Sequence, residues 1–167
     1  CSPASAPMPR EVSGAQAEPS IGIPQNEGPA MLKRGVGPDA PAVTVVEIDA
    51  NVIGLRAHFH IPPDGADQRV IHGDGARYVA ALIDSAEYPD VLLVDAYDRD
   101  GISRSIAEPE FIEHSRRILG DGGVFVMNLA AHESDSTLHV ERIRKVFGDP
   151  VIPVTVGWGG NMVVFAG

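Results

Sequence analysis

Three acidic residues each follow a short run of buried-strand composition: Glu47 after Val43 to Val46, Asp74 shortly after Arg69 to Ile71, and Asp95 after Val91 to Val94. Runs of that length and composition read as buried parallel strands. Carboxylates at their ends converge on the carboxyl edge of the sheet, where open α/β sheets bind ligands. Glu47 has the two oxygens needed to accept both hydroxyls of a ribose. Helix capping is the competing use, but Asp49 stands directly before the helical residue Ala50 and fills that role better. Asp74 with Gly75 has two open readings. Its carboxylate takes the amino group of a base while Gly75 lets backbone approach the ring, or Asp74 caps a helix beside a turn glycine. Asp95 and Asp98 crowd negative charge around Ala96 and Tyr97, which an alkylammonium ligand relieves. An amine must lose a proton before it attacks carbon, and an adjacent carboxylate holds the ammonium and then accepts that proton. The competing reading of the Asp98-Arg99-Asp100-Gly101 stretch is a solvated acidic loop.

The elements that must hold these groups follow from periodicity. Strands are expected at Val43 to Ile48, Arg69 to His72, Asp90 to Ala96 and Val124 to Leu129. Helices are expected at Ala50 to His58, Gly75 to Ala86, Glu108 to Leu119 and Thr137 to Phe147. Loops at Ile61 to Asp67 and Tyr97 to Ser105 join them. In the last helix Leu138, Val140 or Glu141, Ile143 and Val146 to Phe147 are expected to face inward. Val151 to Val156 and Met162 to Ala166 are joined by five residues around Trp158, too few for a crossover, so they form an antiparallel hairpin. Alternating strands and helices ending in such a hairpin predict an α/β three-layer sandwich with one antiparallel edge.

The chain has 167 residues and a formal charge of -10. That length suits one domain. The charge opposes nucleic acid and anionic membranes and favours cationic small molecules. No apolar run is long enough to span a bilayer. Cys1 is the single cysteine, and the six histidines lack metal-ligand spacing, so neither a disulfide nor a metal site is expected. More than half of the fourteen prolines precede Val43. Residues 1–19 therefore read as a disordered or extended tail, with the domain at 20–167. A cytoplasmic location is expected. The alternative is an exported lipoprotein anchored through Cys1, because a Ser/Pro/Ala-rich tether follows that residue.

From Val43 to Gly167 the sequence resembles the catalytic domain of the spermidine synthase family, the polyamine aminopropyltransferases, and especially its short bacterial members. The resemblance rests on VTVVEID, GDG, DAYDRDGI, EFIEHSRRILGDGGVFVMNLA and GNMVVFAG in that linked order. It implies a methyltransferase-like, Rossmann-like sheet of order 3-2-1-4-5-7-6, with the first strand central; Ser20 to Ile23 is the expected occupant, and Ala30 to Arg34 reads as a short helix at most. It further implies transfer of the aminopropyl group of decarboxylated S-adenosylmethionine to putrescine or a similar amine, with no tightly bound cofactor. By the same resemblance Glu47 holds the ribose, Asp74 with Gly75 the adenine, Asp95 orients and deprotonates the amine, Asp98 binds the amine chain and Tyr97 walls its channel. The family also implies a homodimer, for which the apolar hairpin offers a surface. Two departures stand out: the family's glycine-rich first strand and its N-terminal β-stranded lid have no clear counterpart, and Arg99 replaces the proline after the second loop aspartate. A methyltransferase using S-adenosylmethionine, or a non-catalytic binding member of the family, are the alternatives.

Overall fold

The computed structural model describes residues 30–36, 40–85, 88–99, 101–130, 135–157 and 160–167. Its elements in chain order are β1 (Ala30–Val36), β2 (Ala40–Glu47), α1 (Ala50–Gly54), β3 (Gln68–His72), α2 (Gly75–Leu82), β4 (Val91–Val94), β5 (Tyr97–Asp98), β6 (Gly101–Ile102), α3 (Arg104–Ala107), α4 (Pro109–Leu119), β7 (Val124–Ala130), α5 (Ser136–Phe147), β8 (Val151–Val156) and β9 (Asn161–Ala166). Seven strands form one sheet in the order β3-β2-β1-β4-β7-β9-β8. This is the α/β, methyltransferase-like order expected from the sequence, closed by the antiparallel β8–β9 hairpin. Trp158, in the connection, lies outside the described residues.

The central strand corrects one expectation. Ala30–Val36 fills the gap, not Ser20 to Ile23, which lie outside the described residues. The segment read as a short helix is thus a strand. It also runs antiparallel to both neighbours, β2 and β4. Only residues 37–39 separate β1 from β2, and so short a link joins antiparallel neighbours, whereas a parallel crossover needs a dozen or more residues.

The core lies between the sheet and α2, α4 and α5. Leu92 and Val94 of β4, Phe125, Met127 and Leu129 of β7, and Val164 of β9 meet Val79, Phe111, Ile112 and Ile143 from the helices. Alternation along β7, with Phe125, Met127 and Leu129 buried and Val124 exposed, marks this as one face of the sheet. Helix α4 buries Phe111, Ile112, Ser115, Ile118 and Leu119 along one face. In α5 the buried residues are Ser136, His139, Val140 and Ile143, while Leu138 is exposed, which corrects the inward reading of Leu138.

Other boundaries shift for local reasons. α1 stops at Gly54 instead of reaching His58, since it buries no residue to stabilise further turns and glycine weakens a helix. Hydrogen-bonded turns continue to His60. α2 ends at Leu82, and Ala86, its expected end, lies outside the described residues. The segment expected as a loop from Tyr97 to Ser105 contains a small ribbon, with Tyr97 opposite Ile102 and Asp98 opposite Gly101, followed by the start of α3. Gly101 has φ 125°, a conformation that side-chain-bearing residues rarely adopt, which is why glycine sits at this turn.

Candidate functional site

Strand directions bring the carboxylates to one edge. β2 and β3 are parallel, β4 and β7 are parallel, and the two antiparallel steps through β1 restore a common direction for β2 and β4. Register sharpens this: Ala30 of β1 pairs with Val46 on one side and Val94 on the other. Glu47 and Asp95, each one residue further on, therefore stand level across the start of β1, about two strand spacings or roughly 10 Å apart. On the outer flanks His72 is level with Glu47, and Asn128 is level with Asp95, one residue past the Val94–Met127 pair.

Glu47 is 2% exposed. Its Oε1 accepts the Asp49 backbone N–H at 2.7 Å, while its buried Oε2 has no hydrogen-bond partner. Burial pushes the carboxyl above its ordinary value, against the lowering effect of the Asp49 N–H bond. Asp49 is the N-cap of α1, its side chain accepting from the Asn51 N–H at 2.8 Å, so the capping role is filled beside Glu47 and not by it. The next loop is tied to β2 by the Gly73 N–H donating to the Glu47 carbonyl at 2.9 Å.

Asp74 is the N-cap of α2: its Oδ1 accepts the Arg77 N–H at 3.0 Å, and Gly75 is the first helical residue. The capping use of Asp74 is thus realised, and its second oxygen lies outside that cap bond. Asp74 also lines a cavity of about 370 Å³ with Arg77, Ser105, Glu108 and His114.

Asp95 is exposed beyond the end of β4. Its Oδ1 accepts a hydrogen bond from Asn128 Nδ2 at 2.9 Å. Because a carboxylate only accepts, the amide must present its nitrogen to Asp95, which turns Asn128 Oδ1 away into a buried position without a partner. Tyr97 is anchored to the same strand: its hydroxyl donates to the Asn128 carbonyl at 3.2 Å and accepts from the Ala130 N–H. Tyr97 thereby fastens the loop holding Asp95 and Asp98 to the end of β7. Asp98 is half-buried in the ribbon.

Asn128 is the site residue that motif reading missed. Its signal was present, as the one polar side chain inside the apolar run Val124 to Leu129. Among the described residues no group of three His, Cys, Asp or Glu side chains is placed to hold a metal ion. No helix among them is long and apolar enough to cross a membrane. Cys1 lies outside the described residues.

Comparison with known proteins bears on the family and the fold. Residues 38–154 match the spermine/spermidine synthase domain family. The polyamine aminopropyltransferase of Chromobacterium violaceum is 34% identical over 130 residues, covering 77% of this chain and 48% of that protein. Putrescine N-methyltransferase 2 of Nicotiana attenuata is 29% identical over 116 residues, covering 67% of this chain and 30% of that protein. Among solved structures, a probable spermidine synthase from Corynebacterium glutamicum shares the fold with a TM-score of 0.60 at 22% identity, over 74% of this chain and 46% of that one. Human methyltransferase-like protein 13, crystallised with SAH, shares it with a TM-score of 0.61 at 23% identity, over 72% of this chain and 58% of that one. The chain spans about half the length of the curated aminopropyltransferases it matches. With the family pattern covering most of the sheet and all three strand-end carboxylates, the chain belongs to the spermine/spermidine synthase domain family.

Proposed function

We propose that this domain binds a sulfonium nucleoside, decarboxylated S-adenosylmethionine, beside a cationic amine such as putrescine, and transfers the aminopropyl group between them. The observation that carries the reading is the level placement of a buried, half-satisfied Glu47 and an exposed, amide-held Asp95 across β1. Glu47 takes ribose hydroxyls, which supply the donors that Oε2 lacks. Asp74 and Gly75 flank the base. Asp95 holds the incoming ammonium, accepts one of its protons, and leaves a neutral amine aligned for attack. The nitrogen forms a bond to the carbon next to sulfur, the carbon–sulfur bond breaks, and its electron pair leaves with methylthioadenosine. Asp98 pairs with the far end of the amine, and Tyr97 keeps the loop in place.

The relative named a putrescine N-methyltransferase supports a second reading, methyl transfer from S-adenosylmethionine to the same class of amine. Both reactions need a nucleoside pocket and an aligned nitrogen, and they differ in which carbon on sulfur is attacked. The reversed β1 favours a third, non-catalytic reading, because its amino end and not its carboxyl end lies at the site edge, where the family carries a glycine-rich loop. Incubation with putrescine and each donor in turn separates the three. Aminopropylated product with the decarboxylated donor supports the main reading, methylated putrescine the second, and no product despite nucleoside binding the third.

A homodimer is also proposed. Ile152, Val154 and Val156 of β8, Phe165 of β9 and Val124 of β7 are exposed on the sheet face opposite the core, an apolar patch of the kind that association buries. Light scattering across micromolar concentrations is expected to return the mass of two chains; a single-chain mass throughout rejects it.

A further inference from the structure

A cavity of about 380 Å³ lies apart from Asp74 and Asp95, over the face of β2 and β3 on which α1 sits. Its floor is Val43 and Val45 of β2 with Val70 of β3, its roof includes Ile53 and Pro62, and Glu47 closes one end. From Glu47 to Val43 the floor runs back from the site edge by four residues, roughly 13 Å along the strand.

The cavity has a cause in the sequence. Thr44 and Val46 are buried on the opposite face, so Val43, Val45 and Glu47 alternate onto this one. The helix that would cover them ends after five residues with none buried, and the chain continues as turns that bridge the floor without filling it. Arg56 latches those turns. Its Nη1 donates to Asp64 Oδ1 at 2.8 Å and its Nη2 to the Pro62 carbonyl, while Asp64 Oδ1 also accepts from the Val70 N–H at 3.1 Å. The guanidinium is therefore committed to the roof.

We propose that this cavity is a second ligand site, for a primary alkylamine whose chain lies along Val43, Val45, Ile53 and Val70 and whose ammonium meets Glu47. Volume suits a small ligand, since such sites begin near 300 Å³. The aliphatic side chains of Val43, Val45, Ile53 and Val70 select an alkyl chain; besides Glu47, the polar lining is Arg56, already bonded within the roof, with His60 and Gln68. The head is selected by Glu47, a carboxylate almost wholly removed from water, with one oxygen lacking any donor. An ammonium supplies both the missing hydrogen bond and the compensating charge. A carboxylate head is repelled, and a hydroxyl satisfies the oxygen without neutralising it. Because the proposed nucleoside site also uses Glu47, the two ligands exclude each other there.

Calorimetric titration with n-octylamine, 1-octanol and octanoate tests this, using wild type, Ile53→Trp, Glu47→Gln and the double variant Asp95→Asn/Asp98→Asn. Octylamine is expected to bind wild type about tenfold or more tighter than octanol, as a charge-assisted bond would give, with no heat from octanoate. Ile53→Trp, which fills the cavity from its roof, should abolish octylamine binding yet still bind methylthioadenosine, a check that it remains folded. Glu47→Gln should bring octylamine down to the octanol level and leave octanol unchanged. The double variant should bind octylamine as wild type does. No octylamine binding by wild type, equal affinity for octanoate, binding undisturbed by both Ile53→Trp and Glu47→Gln, or loss in the Asp95/Asp98 variant would overturn the proposal. Failure of the nucleoside reading alone would appear differently, as octylamine binding without methylthioadenosine binding.

Discussion

The two carboxylates flanking β1 are held by opposite means. Glu47 is buried, takes a backbone N–H on one oxygen and leaves the other unsatisfied, so folding must desolvate it at a cost. Asp95 is exposed and steered by a neutral amide, so it stays open to a ligand. The contrast matches the tasks proposed for them. A group that only binds gains from a dry setting, where each hydrogen bond counts for more. A group that trades protons needs access to the nucleophile and a fixed orientation. A buried acceptor without a donor is also a source of instability that a binding function explains.

Breaking the exposed side should have the largest effect. Asp95→Asn retains shape and removes the proton acceptor, and aminopropyl transfer should fall by about 100-fold or more, with methylthioadenosine affinity unchanged within about twofold. Steady-state rates with putrescine, paired with nucleoside titration, measure both halves of that statement. Equal turnover in variant and wild type would remove Asp95 from the chemistry.

The buried side predicts a smaller loss of function with a gain elsewhere. Glu47→Gln should weaken nucleoside binding by about tenfold, the range for one charged hydrogen bond. It should also stabilise the protein at neutral pH. The sign follows from the raised carboxyl: between its ordinary value of 4.5 and its higher value in the fold, the folded state holds the proton more tightly than the unfolded state. Stability therefore falls as pH rises through that window, and above it the full cost of an ionised buried group persists. The gain in urea midpoint of Glu47→Gln over wild type should therefore grow from pH 4 to 7, a difference from which the opposite contributions of Asp64 and His139, whose values are lowered in the fold, cancel. A variant that is less stable than wild type at pH 7 would contradict the desolvation account.

Asn128→Ala should act more gently than Asp95→Asn. Removing the amide frees Asp95 to rotate, and turnover should drop by about five- to tenfold, the worth of about one hydrogen bond. Its effect should fall on turnover more than on nucleoside affinity, and Asn128→Gln should restore part of it. A loss confined to nucleoside binding would place Asn128 on the wrong side of the comparison.

Much of this was legible in the residue order. Apolar runs of strand length before Glu47, Asp74 and Asp95 located the sheet and the edge at which these carboxylates gather, because burial of a parallel strand demands such runs and the register then sets the edge. Leu138 misled because hydropathy does not show that the α5 face was to be taken by Ser136 and His139. The direction of β1 was harder to see. Its residues AMLKRGV have neither a clear strand nor helix period, and the direction comes from the brevity of the link. The Gly37-Pro38-Asp39 turn signal before β2 could have revealed it, since Gly, Pro and Asp between two extended segments mark a tight reversal. Asn128 went unread because its partner is 33 positions away in sequence, and only strand register makes them neighbours.

Parallel calorimetric titration of methylthioadenosine into wild type, Glu47→Gln and Asp95→Asn tests the division of labour across β1 most directly. The predicted result is binding by wild type, about tenfold weaker binding by Glu47→Gln, and binding by Asp95→Asn within about twofold of wild type. No heat from wild type at millimolar nucleoside, or equal loss in both variants, would contradict it.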